Sequence, residues 1–133
     1  MLYLSEIEIR DWLKNFNAAD NYYIGKLDNK KDKSIGVYQR NARPPNKFIG
    51  QPLSYEVKQI SLLIHWNKNA AETERAAYSL YEKIIAEKRP FIGEKQIYMI
   101  DMLNSEPIDI STDDCGVYER VIEFDIYYER SNK

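Results

Sequence analysis

In the first part of the chain, hydrophobic residues recur among polar ones with the period of an α-helix. Ser5 and Glu8 fit a capping box, in which each side chain bonds the free backbone N–H of the other residue. After them, apolar residues recur at the i, i+3, i+4 and i+7 spacing that lines one helix face: Ile9, Trp12, Leu13 and Phe16. The pattern predicts a helix that begins after Ser5 and ends within residues 17–21.

A second helix is predicted after Asn69, whose side chain suits the N-cap position, with Glu72 at the third helical position. One face of this helix is mostly apolar: Thr73, Ala77, Leu80, Tyr81 and Ile84. The alanine near its start permits close approach to a sheet. Pro90 and Gly93 end the segment.

The remaining apolar segments have the shorter period of β-strands and are separated by charged or proline-bearing turns. Strands are predicted at 21–27, 33–40, 53–66, 95–103, 108–111 and 117–129. The order α-β-β-β-α-β-β-β favours a single α+β domain over residues 1–133. We expect a mainly antiparallel sheet, with both helices packed on one face and a long β-hairpin around the loop "NARPPNKFIGQP".

Two strands indicate which side faces a core. In 53–66 the apolar phase switches near Lys58–Gln59, which predicts a β-bulge or a strand buried on both sides. In the last strand, one side is mostly apolar and is predicted to face the core: Tyr118, Ile122, Phe124, Ile126 and Tyr128. The other side is mixed and is predicted to meet water or a partner: Val117, Glu119, Val121, Glu123, Asp125 and Tyr127.

Composition narrows the class of protein. The 133 residues carry a net charge of -2, and without a basic excess general nucleic-acid binding is disfavoured, although local basic clusters could contact a polyanion. Cys115 is the single cysteine, so an intramolecular disulfide is excluded and a reducing compartment is favoured. The start of the chain lacks a signal-peptide pattern, and no stretch approaches the length of a membrane span. We expect a protein made in the cytosol, without a membrane role.

Candidate catalytic residues are few. His65 is the single histidine and lies in an apolar strand, where a structural role is favoured over that of a base. Cys115 lies in a turn, with nothing nearby to lower its pKa. Asp101 and Asp125 could meet across a sheet and act as paired acids, which leaves a small enzyme as one alternative. The five glycines form no phosphate-binding run. No catalytic residue, metal ligand or cofactor is predicted.

The loop between the second and third strands combines basic and aromatic residues: Tyr38, Arg40, Arg43, Lys47 and Phe48. Such a set can hold single-stranded nucleic acid. The same residues can also bind a neighbouring protein. Pro44 and Pro45 favour the second reading, because a rigid loop loses less entropy on binding.

The stretch "IGVYQRNARPPNKFIGQPLSYEVKQISLLIHWNKNAAETERAAYSLYEKI" resembles the small minor capsid or tail-terminator-like proteins of long-tailed phages that infect Gram-positive bacteria. "LSEIEIRDWL" and "VYERVIEFDIYYE" also fit that pattern. The resemblance implies a virion protein, assembled in the host cytoplasm, that forms a ring, with a hexamer expected. The ring would cap the tail tube, and its partners would be the major tail-tube protein and a head-completion protein. The family carries no catalytic residues to transfer.

The residues and the resemblance together favour assembly. A long hairpin can add to a neighbour's sheet through main-chain hydrogen bonds. We expect acids on the outer side of the last strand to receive the loop cations of a neighbouring subunit. The candidate interface is therefore Tyr38, Arg40, Arg43, Pro44, Pro45, Lys47, Phe48, Glu119, Glu123 and Asp125. Besides the small enzyme, two alternatives remain: another head-completion or tail component, or a monomeric module that binds single-stranded nucleic acid.

Overall fold

A computed structural model describes residues 3–41 and 55–129 of the chain. Two helices, α1 (Glu6–Lys14) and α2 (Ala70–Ile85), accompany seven strands in this part. The strands are β1 (Asn21–Ile24), β2 (Ser34–Gln39), β3 (Tyr55–His65), β4 (Phe91–Ile92), β5 (Lys95–Met102), β6 (Ile108–Thr112) and β7 (Tyr118–Glu129). The broad α+β prediction is confirmed.

The capping box of α1 is confirmed. The Ser5 hydroxyl accepts a bond from the Glu8 N–H at 3.1 Å, and the Glu8 carboxylate accepts one from the Ser5 N–H at 3.0 Å. The apolar stripe is buried at Ile9, Trp12 and Leu13. Local side-chain chemistry therefore sets both the start of this helix and the face that it buries.

The predictions for α2 are also confirmed. Asn69 is the N-cap and accepts a bond from the Glu72 N–H at 3.1 Å. The buried face is Thr73, Ala77, Leu80 and Ile84. Tyr81 is half-buried, and its hydroxyl donates a hydrogen bond to the backbone carbonyl of Asn104 at 2.7 Å. This bond connects α2 to the turn after β5. No helix in residues 3–41 or 55–129 is long and apolar enough to cross a membrane.

The strands form one mixed sheet in the order β1-β2-β3-β7-β5-β4, and β6 pairs with the first part of β7. β1 runs parallel to β2, whereas each of the other paired strands is antiparallel to its neighbour. The sequence predicted neither the parallel pair nor the two-residue strand β4. β2 and β3 pair as predicted for the hairpin, from Ser34–His65 to Gln39–Ile60, and its loop residues 42–54 lie outside the described residues.

The bulge predicted in β3 is wrong. β3 pairs with β7 in unbroken register from Tyr55–Glu129 to His65–Glu119. The apolar phase switches because the two halves of β3 bury opposite sides. In the first half Tyr55 and Val57 are half-buried on one side, and in the second half Ile60, Leu62 and Ile64 are buried on the other side. Register shifts occur instead in β5 and β6, opposite β7.

The core lies along β3 and β7, the two central strands. Four of the five side chains predicted to face inward from β7 are buried: Ile122, Phe124, Ile126 and Tyr128. Residues of both helices belong to the same cluster, including Leu13 of α1 and Leu80 of α2. Each large apolar side chain buried in this way stabilises the fold by about 1.5–3 kcal/mol.

Candidate functional site

Arg40 and Asp125, both predicted to lie at a subunit interface, form an ion pair within one chain. Arg40 follows β2, and its backbone N–H donates to the Gln59 carbonyl of β3 at 3.0 Å. Gln59 is in turn the register partner of Asp125 on β7. The Arg40 side chain thus reaches across β3. Only 17% of it and 9% of the Asp125 side chain are exposed.

That Arg40 and Asp125 lie at a subunit interface stays a prediction, although their charges already pair within one chain. The cation that Asp125 receives is Arg40 of its own chain, so Arg40 of a neighbour is not needed to neutralise it. Arg43 and Lys47, the other predicted cations, lie outside the described residues, as do Pro44, Pro45 and Phe48. That these residues belong to a subunit interface stays a prediction.

Tyr38 also has an internal role. Its hydroxyl accepts a hydrogen bond from the Leu27 N–H at 3.3 Å, which fastens the β1–β2 connection to β2. Its ring lies over Gly36, where an added Cβ would come within 2.8 Å of the ring. Glycine at position 36 is therefore needed for this close approach. Tyr38 remains half-buried, so part of it is accessible.

Glu119 belongs to a buried cluster around His65. His65 is completely buried at the end of β3, and its Nε2 lies 3.0 Å from the Asn29 carbonyl. Its Nδ1 lies 2.7 Å from Glu119 Oε2 and 3.7 Å from Asp113 Oδ2. A carbonyl oxygen only accepts hydrogen bonds, so Nε2 carries a proton. The short contact on the other side requires a second proton between Nδ1 and Oε2.

Among the described residues, His65, Asp113 and Glu119 form a group whose ligand atoms lie within 4.8 Å of one another. Two ligand atoms that share a zinc ion are separated by about 3 Å or more, since each lies about 2.0–2.2 Å from the metal. The 2.7 Å contact is instead the length of a direct charge-assisted hydrogen bond. The arrangement thus fits an internal ion cluster, in agreement with the structural role predicted for His65.

Asp113 holds the turn between β6 and β7. Its Oδ1 accepts hydrogen bonds from the Val117 N–H at 3.0 Å and the Cys115 N–H at 2.9 Å. The bond from Val117 does most to lower the pKa of Asp113, and the Cys115 bond and nearby His65 lower it further, whereas burial acts in the opposite direction. The folded protein therefore favours the ionised carboxylate.

We expect Asp113→Asn to lower the free energy of unfolding at pH 7 by about 1 kcal/mol, because the amide oxygen can still accept in the turn but carries no charge. A lowered folded pKa gives stability that is present above the unfolded value of about 3.9 and is lost as the pH falls through the folded value. The difference between wild type and variant should shrink below about pH 4. Guanidinium unfolding at pH 7 and pH 3 measures it. A difference that stays the same at both pH values contradicts the assignment.

Asp101 and Asp125, considered as paired acids, are direct register partners on β5 and β7. Burial, followed by the charges of these two carboxylates, raises the pKa of the neighbouring Tyr127. Because Arg40 binds Asp125, the two acids do not form a pair of free carboxylates. Glu123, also on β7, is half-buried, and its backbone carbonyl accepts from the Leu103 N–H at 3.0 Å.

Sequence reasoning missed a surface at the edge of the sheet. β5 and the segments after it expose large apolar side chains: Tyr98, Met99, Leu103 and Ile110. A signal was present in the sequence, because residues 98–114 contain five acids and neither lysine nor arginine. Exposed apolar side chains that are rimmed by polar residues are typical of protein contacts when they form a large contiguous patch.

Comparison with protein families identifies the family of this chain. The sequence model of a family described as bacteriophage tail terminator protein matches residues 3–130. This range includes both helices and every strand of the described structure. A search of curated proteins finds no match.

Proposed function

This chain belongs to the bacteriophage tail terminator protein family, and we propose that it caps the tail tube of a phage or prophage as an oligomeric ring. Family membership makes the chain a structural component of a phage tail and of the virion. The match over residues 3–130 is the observation that carries the proposal. A cap at the tube end would stop polymerisation and present a surface to the head.

The sheet supports the ring. A closed ring is a head-to-tail assembly, so each subunit needs two different surfaces. β1 forms one edge of the sheet, and β4 and β5 form the opposite edge. The two edges differ in strand direction and sequence, as such an assembly requires. A hexamer is the size that we propose.

The partners would be proteins. The major tail-tube protein would bind one end of the ring, and a head-completion protein would bind the other once the tail is complete. Assembly would take place in the cytoplasm of the host. The family is structural, and the side chains that first suggested catalysis have internal contacts, since His65 is enclosed by oxygens and Asp125 binds Arg40.

Length control of the tail tube tests the proposal. The purified chain is added to the tail-tube protein of the same phage while that protein polymerises, and tubes are measured by negative-stain microscopy. We expect growth to stop and a ring to be visible at one end of each tube. Tube protein from an unrelated phage serves as the control and should grow unchanged. An unaltered length distribution with the matched tube protein contradicts capping, and a ring found on heads alone supports a head-completion role instead.

A further inference from the structure

The two edges of the sheet carry backbone groups that the described part of the chain leaves unpaired. On β5, residues 98–102 pair with β7 on one side, whereas β4 reaches only Lys95 and Gln96 on the other. Within residues 3–41 and 55–129, β1 pairs with β2 alone. Exposed N–H and C=O groups of this kind form a template for another strand, and proteins normally cover or blunt them.

Apolar side chains lie on both edges. Tyr98 and Met99 of β5 are 36% and 49% exposed, and Ile24 of β1 is 36% exposed. Each edge is short, with four residues in β1 and five in the free stretch of β5. Short apolar edges of similar length could pair with each other and remove these side chains from water.

The net charges beside the edges have opposite signs, although two exposed cations, Lys88 and Arg89, also lie beside β5, with Arg89 5.7 Å from the Tyr98 ring centre. After β1, residues 25–33 contain four exposed lysines and two aspartates: Lys26, Lys30, Lys31, Lys33, Asp28 and Asp32. On the other side, residues 98–114 contain acids and no basic residue: Asp101, Glu106, Asp109, Asp113 and Asp114. Asp109 and Asp113 have internal cationic neighbours, Arg120 and His65. Asp101 and Asp114 are exposed, and Asp101 lies on β5 itself.

From these observations we infer that β1 of one copy docks against β5 of the next copy and that this contact closes the ring. The inference rests on the proposed function and assigns its subunit contact. Backbone hydrogen bonds and apolar burial supply affinity, while the lysines and acids steer the copies and exclude the like-with-like arrangement. Because the charges are exposed, salt screens them, with a Debye length of about 8 Å at physiological ionic strength. We therefore expect added salt to slow assembly without abolishing it.

Lysine substitutions on the edges test the assignment, because a lysine on an edge strand opposes pairing. Ile24→Lys alters the β1 edge, and Met99→Lys alters the β5 edge. Ile85→Lys, on α2, is the matched control, since Ile85 is 47% exposed and belongs to neither edge strand. Under the conditions where the wild type forms rings, alone or on tube ends, we expect each edge variant to lose about tenfold or more in association constant. The control should assemble normally, and thermal melting verifies that all three variants fold.

Mixing the two edge variants gives the sharper result. Each mixed pair retains one intact contact, between β5 of the Ile24→Lys copy and β1 of the Met99→Lys copy. We therefore expect heterodimers on cross-linking and no ring. Mixed copies that stay monomeric, or that form a full ring, overturn the assignment. Rings formed by each edge variant in the absence of the other overturn it as well. A wild-type chain that never forms a ring, even on tube ends, overturns the proposed function as well.

Discussion

Replacing Asp125 by alanine is expected to lower the free energy of unfolding by about 3–5 kcal/mol, the cost of leaving one buried charge without its partner. Arg40 would keep its guanidinium beneath the surface after Asp125 is removed, because only 17% of its side chain is exposed. Its Nε is already buried without a hydrogen-bond partner among the described residues. Since small domains are stable by about 5–15 kcal/mol in total, this one change should remove a large part of the stability.

Two further variants separate charge from packing. Asp101→Asn is the matched control, since Asp101 is the register partner of Asp125 but is exposed, and we expect a loss of about 1 kcal/mol or less. The double variant Arg40→Met with Asp125→Ala removes both charges and should lose less stability than Asp125→Ala alone, because it leaves no buried guanidinium without a partner. Urea unfolding followed by circular dichroism measures each value. If the double variant is as unstable as Asp125→Ala, the pair stabilises the fold through side-chain packing and not through charge.

The ion pair also shows where sequence reasoning reached its limit. The positions of the cations and acids predicted that Asp125 receives a cation of a neighbouring copy, whereas in the structure Asp125 pairs with Arg40 of its own chain. The partners are 85 residues apart in the chain, and charge patterns do not reveal whether such residues meet within one copy or between two. The distinction depends on β3 lying between β2 and β7, which is a property of the folded sheet.

Local features were predicted well because local chemistry determines them. The caps at Ser5 and Asn69 each satisfy backbone N–H groups within three residues, so the helix starts can be read from the sequence. The inward side of β7 follows from the two-residue period of a strand. Neither inference requires knowledge of the remaining chain.

Strand partners were predicted less well because pairing is decided by distant contacts. Parallel neighbours usually need a crossover of about a dozen residues, so the short charged segment after β1 indicated a simple turn. The structure uses this segment to return the chain, so that Asn21 pairs with Ser34 and Ile24 with Val37. The same parallel pairing places β1 at the open edge, and the edges of the sheet were therefore absent from the predicted interface.

The second large expected effect on the free energy of unfolding comes from replacing His65. His65→Leu is expected to lower the free energy of unfolding by about 3 kcal/mol, because it leaves the Asn29 carbonyl and the Glu119 carboxylate without their proton donor. Glu123→Gln, on the same strand as Glu119, is the control and should change stability by about 0.5 kcal/mol or less. In the double variant His65→Leu with Glu119→Leu, the loss should be smaller than the sum of the single losses by about 1–3 kcal/mol.

Two other measurements decide whether this cluster is only structural. At a temperature where His65→Leu is folded, the variant should still cap tail tubes, since His65 is enclosed by its own chain and offers no surface to a partner. Loss of capping by a folded variant contradicts that view. Addition of zinc should leave the melting temperature of the wild type unchanged, because a direct hydrogen bond joins His65 to Glu119. A zinc-dependent rise that is absent from His65→Leu shows that the three side chains bind metal, and that the proton between Nδ1 and Oε2 is displaced when they do.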